Sequence, residues 1–206
     1  MPTSRTIISN MALAHCGISQ RISDVDTENS PEAIQCRLFF DHCRDMILEA
    51  QAWPFATQRV RLQLLTLPEE WEGQWTYRYA YPNICKRVNK IVNPAMRTET
   101  ESRHRIPFQV IDRADAAGKA ILCDQDNALV EFNVQINDVG RFSASFVQAF
   151  ALCLAAHITT PLKVNAEITR TINARYTDWL TEAILITKAE RQDDPEPDSQ
   201  FVNARC

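Results

Sequence analysis

Along the chain, hydrophobic positions recur first at helical spacing, then in alternation, then at helical spacing again. Ile7, Met11 and His15 fall four apart, with Ile8 and Ala12 beside them, so the pattern predicts a helix over about 4–16. Gly17 follows where a left-handed cap is wanted. The second pattern is the clearest. Ser30 suits an N-cap and Pro31 the first helical position. Ala33, Cys36, Phe40, Cys43, Ile47 and Ala50 then recur at spacings of three and four, which predicts a helix over about 30–51 with a narrow apolar seam. It should end before Trp53-Pro54, because a residue preceding proline avoids the α region. Phe146, Phe150, Cys153 and Leu154 mark a third helix over about 145–159, stopped by Pro161. Ile168, Ile172, Tyr176, Trp179, Ala183 and Ile186 mark a fourth over about 165–192, a rod of roughly 40 Å.

The middle of the chain switches to period two. Trp75, Tyr77, Tyr79 and Tyr81 alternate with Thr76, Arg78 and Ala80, as in a strand that Pro82 ends. Further strands are predicted at Arg87–Val92, Phe108–Ile111, Lys119–Cys123 and Ala128–Val134, the last two joined as a hairpin through the polar stretch Asp124–Asn127. The expected fold is therefore mainly α with inserted β. An antiparallel helical bundle carries a small antiparallel β lobe, at about 74–134, between helices 2 and 3. Residues 1–192 would form a single domain. Residues 193–206 hold two prolines and no periodicity, and are expected to be an extended C-terminal tail that orders on a partner.

Composition narrows the function classes. Of 206 residues, 45% are hydrophobic and 23% charged, as in ordinary globular proteins. A net charge of −4 argues against a tight grip on a nucleic-acid backbone, which needs a basic face. The seven cysteines stand singly, at 16, 36, 43, 85, 123, 153 and 206, with no CxxC pair. They read as reduced thiols, several packed as small hydrophobes, in a protein made in the cytoplasm. No signal peptide or membrane-spanning run is read, and no membrane partner is expected.

Local motifs offer little chemistry. With four glycines, neither phosphate-binding glycine loop occurs, and no GxSxG is present. His42 and Cys43 are adjacent and point about 100° apart on a helix, while Cys36 and Cys43 share the apolar seam and read as core thiols. His15, His104 and His157 have no partners at recognised metal spacings. The carboxylate pairs Asp24/Asp26, Glu69/Glu70, Asp124/Asp126 and Asp193/Asp194 lie in polar turns. No catalytic residue, metal or cofactor is expected. Arg97, Arg103 and Arg105 enrich one long loop, diluted by Glu99 and Glu101. That loop is either simply solvated or a contact to an acidic partner or to DNA. Trp53, Pro54 and Phe55 form either a core plug or an anchor between subunits.

Several separated segments carry a resemblance. They are Asn10–Leu13 through Gly17 and Ile22; Ala33–Asp45 with Cys36 and Arg44-Asp45; Trp53–Ala56 with Arg59 and Leu62; Tyr79–Pro82 with Cys85, Arg87 and Val88; Pro107-Phe108; Ile121–Asp124; Phe142–Pro161; and Ala189-Glu190 with Phe201–Arg205. In order and spacing they resemble the tail tubular protein A family, the head-to-tail adaptors of short-tailed bacteriophages. The sequence departs from that pattern at Asn83-Ile84, where an acidic residue is usual, at Phe201, where tryptophan is usual, and at Cys206, beyond the usual terminal arginine.

The resemblance implies a non-enzymatic virion protein at the head–tail junction. Its copies would form a dodecameric ring under the portal protein, hold the tail nozzle or tail tube protein, and let double-stranded DNA pass without sequence-specific binding. Phe201, Val202, Asn203 and Arg205 would then anchor the tail on the portal or a neighbouring copy. The rivals are a head-completion connector of a long-tailed phage, a DNA-binding module, and a small enzyme pairing a cysteine with a histidine.

Overall fold

A computed structural model describes residues 3–94 and 105–191. Four helices form as the spacing predicts: α1 (Arg5–His15), α2 (Pro31–Ala50), α3 (Ala144–Ile158) and α4 (Ala166–Arg191). Serine hydroxyls cap three of them. Ser4 accepts from the amide of Ile7, Ser30 from Ala33 and Ser143 from Phe146. Each satisfies an amide that the first helical turn leaves without a partner. Gly17 ends α1 at φ +74°, the left-handed conformation glycine enters at little cost.

The described residues fall into two compact units. The first contains residues 3–55 and Gln135–Thr187. In it α3 is the central element, buried along Phe146, Val147, Ala149–Ala155 and Ile158, and packed by α1 and α2. The seam of α2 buries Ala33, Cys36, Phe40, Cys43 and Ile47, as its spacing indicates. On α1 the buried stripe is Ile8, Ala12 and Leu13. It lies one position on from Ile7, Met11 and His15, and Ile7 is exposed. Aromatic rings fill the centre. Phe146 meets Trp53 edge-on at 5.0 Å and Phe55 at 5.1 Å, and Phe40 meets Phe150 at 4.7 Å.

The second unit is built on Ala56–Val134 and corrects the expected fold. The chain is not a helical bundle with a small lobe. Among the described residues it has seven strands in two antiparallel sheets. They are β1 (Thr57–Arg61), β2 (Leu64–Leu65), β3 (Tyr77–Ala80), β4 (Cys85–Val92), β5 (Phe108–Asp112), β6 (Lys119–Cys123) and β7 (Leu129–Val134). One sheet runs β1-β7-β4 and the other β2-β3-β6-β5.

Three physical reasons explain the difference. First, β1 reads Thr-Gln-Arg-Val-Arg and is largely exposed, so it has no apolar alternation to detect. Backbone pairing with β7 holds it instead, together with Arg59, whose guanidinium lies 2.7 Å from the Glu131 carboxylate directly opposite. Second, β6 and β7 are not a hairpin. Each is flanked on both sides within its own sheet, β6 by β3 and β5, β7 by β1 and β4. Asp124–Asn127 therefore passes the chain from one sheet to the other, with Asn127 at φ +50°. Third, register shifts interrupt β4 between Cys85 and Arg87 and between Val88 and Lys90, which breaks its alternation.

Candidate functional site

Chemistry-bearing side chains converge inside the helical unit. The α2 seam aims Cys43 inward at α3, and α3 places Cys153 and His157 one turn apart on the same side. His157 Nδ1 lies 3.5 Å from Cys43 Sγ and 3.9 Å from Cys153 Sγ, and the three donor atoms all lie within 4.8 Å of one another. Both cysteines are fully buried and His157 is partly exposed. Nδ1 also stands 2.9 Å from the carbonyl oxygen of Cys153. A carbonyl only accepts, so Nδ1–H donates to it and the Nε2 lone pair is left free. Two α2 rings border the imidazole, Phe39 at 5.6 Å and His42 edge-on at 5.5 Å.

The two thiols are unequal. The hydrogen bond from Cys43 to Cys153, joined by burial, holds the Cys43 thiol well above its usual range. The same bond draws the Cys153 thiol below its usual range against the opposing effect of burial. His157 and the Tyr176 hydroxyl of α4 add to it. Burial first, and Cys153 second, push the Tyr176 phenol up, so it remains a neutral donor toward that sulfur. Two sulfurs and an imidazole suit a borderline or soft cation. A nucleophile needs access as well as a low pKa, and Cys153 has no exposed surface.

Sequence reasoning treated Cys43 as a core thiol and His157 as isolated. The signal it passed over is the four-residue interval from Cys153 to His157, which puts both on one helix face. The other half of the site is long-range, since Cys43 is 114 residues from His157. Trp53 is fully buried, with its Nε1–H donating to the Ile47 carbonyl at 2.7 Å. Pro54 is exposed and Phe55 half-buried. Arg105 is exposed. Arg97, Arg103, Phe201, Val202, Asn203 and Arg205 lie outside the described residues. In the second unit, a shallow recess is lined by Arg61, Val92, Pro94, Gln125, Asn127 and Leu129, with Arg61 the one charged residue and no nucleophile in that lining. Among the described residues, no helix is long and apolar enough to cross a membrane.

Fold and site together define an α+β chain of two units with a buried two-cysteine, one-histidine cluster. No family model matches the chain, and no curated protein matches its sequence.

Proposed function

We propose that the protein is a structural virion component, a head-to-tail adaptor whose copies close into a ring under the portal of a tailed phage. The ring joins the portal to the tail and lets DNA pass. The reading starts from the ordered segments that resemble the tail tubular protein A family. One structural observation supports it most directly: large apolar side chains stand exposed on two different helices of the same unit. On α2, Ile34, Leu38 and Met46 are 43%, 66% and 39% exposed, on the side opposite the buried seam. On α4, Ile168, Leu185 and Ile186 are 37%, 61% and 41% exposed. A closed ring uses a heterologous contact, in which one patch of a copy meets a different patch of the next. Single exposed apolar residues are ordinary, whereas Ile34, Leu38 and Met46, four and eight residues apart on one side of one helix, form a row that suits an interaction face.

The experiment mixes purified chain with portal rings from the particle that carries it and images the product by electron microscopy. A layer of ring density beneath the portal is expected, and portal rings left bare overturn the reading. Leu38→Asp should keep the melting temperature within a degree or two, since the side chain is exposed, while the added density is lost.

A further inference from the structure

We propose that Cys43, Cys153 and His157 form a zinc site, binding one Zn2+ between α2 and α3. The donor atoms lie near the spacing a tetrahedral ion needs, all within 4.8 Å of one another. With Zn–S near 2.3 Å and Zn–N near 2.0–2.1 Å, the edges of a tetrahedral site are about 3.5 Å for S···N and about 3.8 Å for S···S. The observed S···N separations are 3.5 and 3.9 Å. All three donors come from helices packed against each other, so little chain must be ordered for the ion to enter.

Charge selects the cation. Two thiolates and a neutral imidazole around Zn2+ sum to zero, which a buried site tolerates, whereas a monovalent ion would leave an uncompensated negative charge. Mg2+ and Ca2+ prefer oxygen ligands, and the set contains none. The Tyr176 hydroxyl interacts with the Cys153 sulfur and would help to orient that ligand. The fourth position falls to a water on the partly exposed His157 side.

Both sulfurs bind the ion as thiolates, so loading releases one proton from each sulfur that is still a thiol. The imidazole proton moves from Nδ1 to Nε2 as Nδ1 exchanges the Cys153 carbonyl for the metal.

The test uses the full chain, kept reduced with a phosphine, stripped with a chelator and titrated with Co2+ and then Zn2+. The expected result is a tetrahedral Co2+ spectrum with thiolate charge-transfer bands. It should saturate at one ion per chain and be displaced one for one by Zn2+. Cys43→Ser, Cys153→Ser and His157→Gln should each lose stoichiometric binding, while Cys85→Ser and Cys123→Ser keep it. An octahedral spectrum, or none, from the wild-type chain overturns the proposal. So does a spectrum of unchanged intensity and affinity in His157→Gln. That variant alters a partly exposed side chain, so it decides the matter even if the serine variants do not fold.

Discussion

Trp53 offers the sharpest test of how the helical unit holds together. Its indole is fully buried and does two separable things. It stacks edge-on against Phe146 at 5.0 Å, and its Nε1–H donates to the Ile47 carbonyl at 2.7 Å. That carbonyl belongs to the last four of α2, which a helix leaves without an internal partner, so the indole acts as a C-terminal cap delivered by the chain just beyond. Trp53→Phe should keep most of the stacking and lose the cap. Leaving a buried acceptor unmade costs about 1–3 kcal/mol, so about 2 kcal/mol is expected. Trp53→Ala loses both and opens a cavity, at about 3–5 kcal/mol. Against a total stability of about 5–15 kcal/mol, the alanine variant should be folded but marginal. Urea unfolding followed by far-ultraviolet circular dichroism reads both values, with an unchanged slope as the check on the comparison. A Trp53→Ala midpoint within about 1 kcal/mol of wild type would refute the assignment of this side chain to the core.

Three further perturbations follow from the same unit. Arg44 is nearly buried; its guanidinium bonds Asp45 through two nitrogens, at 2.9 and 2.8 Å, and reaches Asp41 and Asn137 at 2.9 Å each. Arg44→Lys cannot reproduce that fork and should cost about 2–3 kcal/mol in the same urea assay, with a loss under about 0.5 kcal/mol counting against it. Asn10 clamps the backbone of Ile22, donating to its carbonyl and accepting from its amide, both at 2.8 Å. Asn10→Asp sets an anion against that carbonyl and should lower stability by about 2 kcal/mol, whereas an unchanged melting temperature would show that the clamp is idle. Burial, followed by the nearby Arg175, lowers the pKa of His15, and the Gln148 amide donates to Nε2 of the neutral ring. The unfolded chain then binds this proton more tightly than the folded one, so stability is full above about pH 6.5 and falls as pH drops through the folded value. His15→Gln should flatten that fall, and an identical pH profile in the variant would remove His15 as its source.

The helices were legible because their signals are local. Ser30-Pro31 announces the start of α2, and the seam from Ala33 to Ile47 fixes its buried face within five turns of chain. Strands were legible where apolar residues alternate or cluster, and the largely buried β6 and β7 stand close to their expected bounds. Tyr77–Ala80 shows aromatic alternation, yet its most deeply buried polar residue is Arg78, which bonds Asp115 and the Thr66 carbonyl. That arrangement depends on distant partners and leaves no periodic trace. β1 and the separation of β6 from β7 were illegible for the same reason, since pairing in a sheet is decided by backbone groups shared across long intervals. The Cys/His cluster combines both cases. Its α3 half, Cys153 and His157, is a local interval. Its α2 half looks like any other apolar seam position until the helices cross.

The two faces of α2 connect the proposed docking role with the proposed metal site. The inner face carries Cys43, and the outer carries Ile34, Leu38 and Met46. His42 stands between Leu38 and Met46 at the same four-residue spacing, exposed, and its ring meets that of His157 edge-on at 5.5 Å. A neighbour seated on the outer row would therefore cover His42 and the partly exposed side of His157, where the proposed ion would have its fourth position. Covering that side removes water from around the imidazole and strengthens its attraction to a cation in the lowered local dielectric. Linkage makes the effect reciprocal: whatever docking adds to metal affinity, the metal adds to docking. The magnitude is bounded by what one histidine edge and one water contribute, so an ion at this site would tune assembly while the apolar row supplies most of the contact.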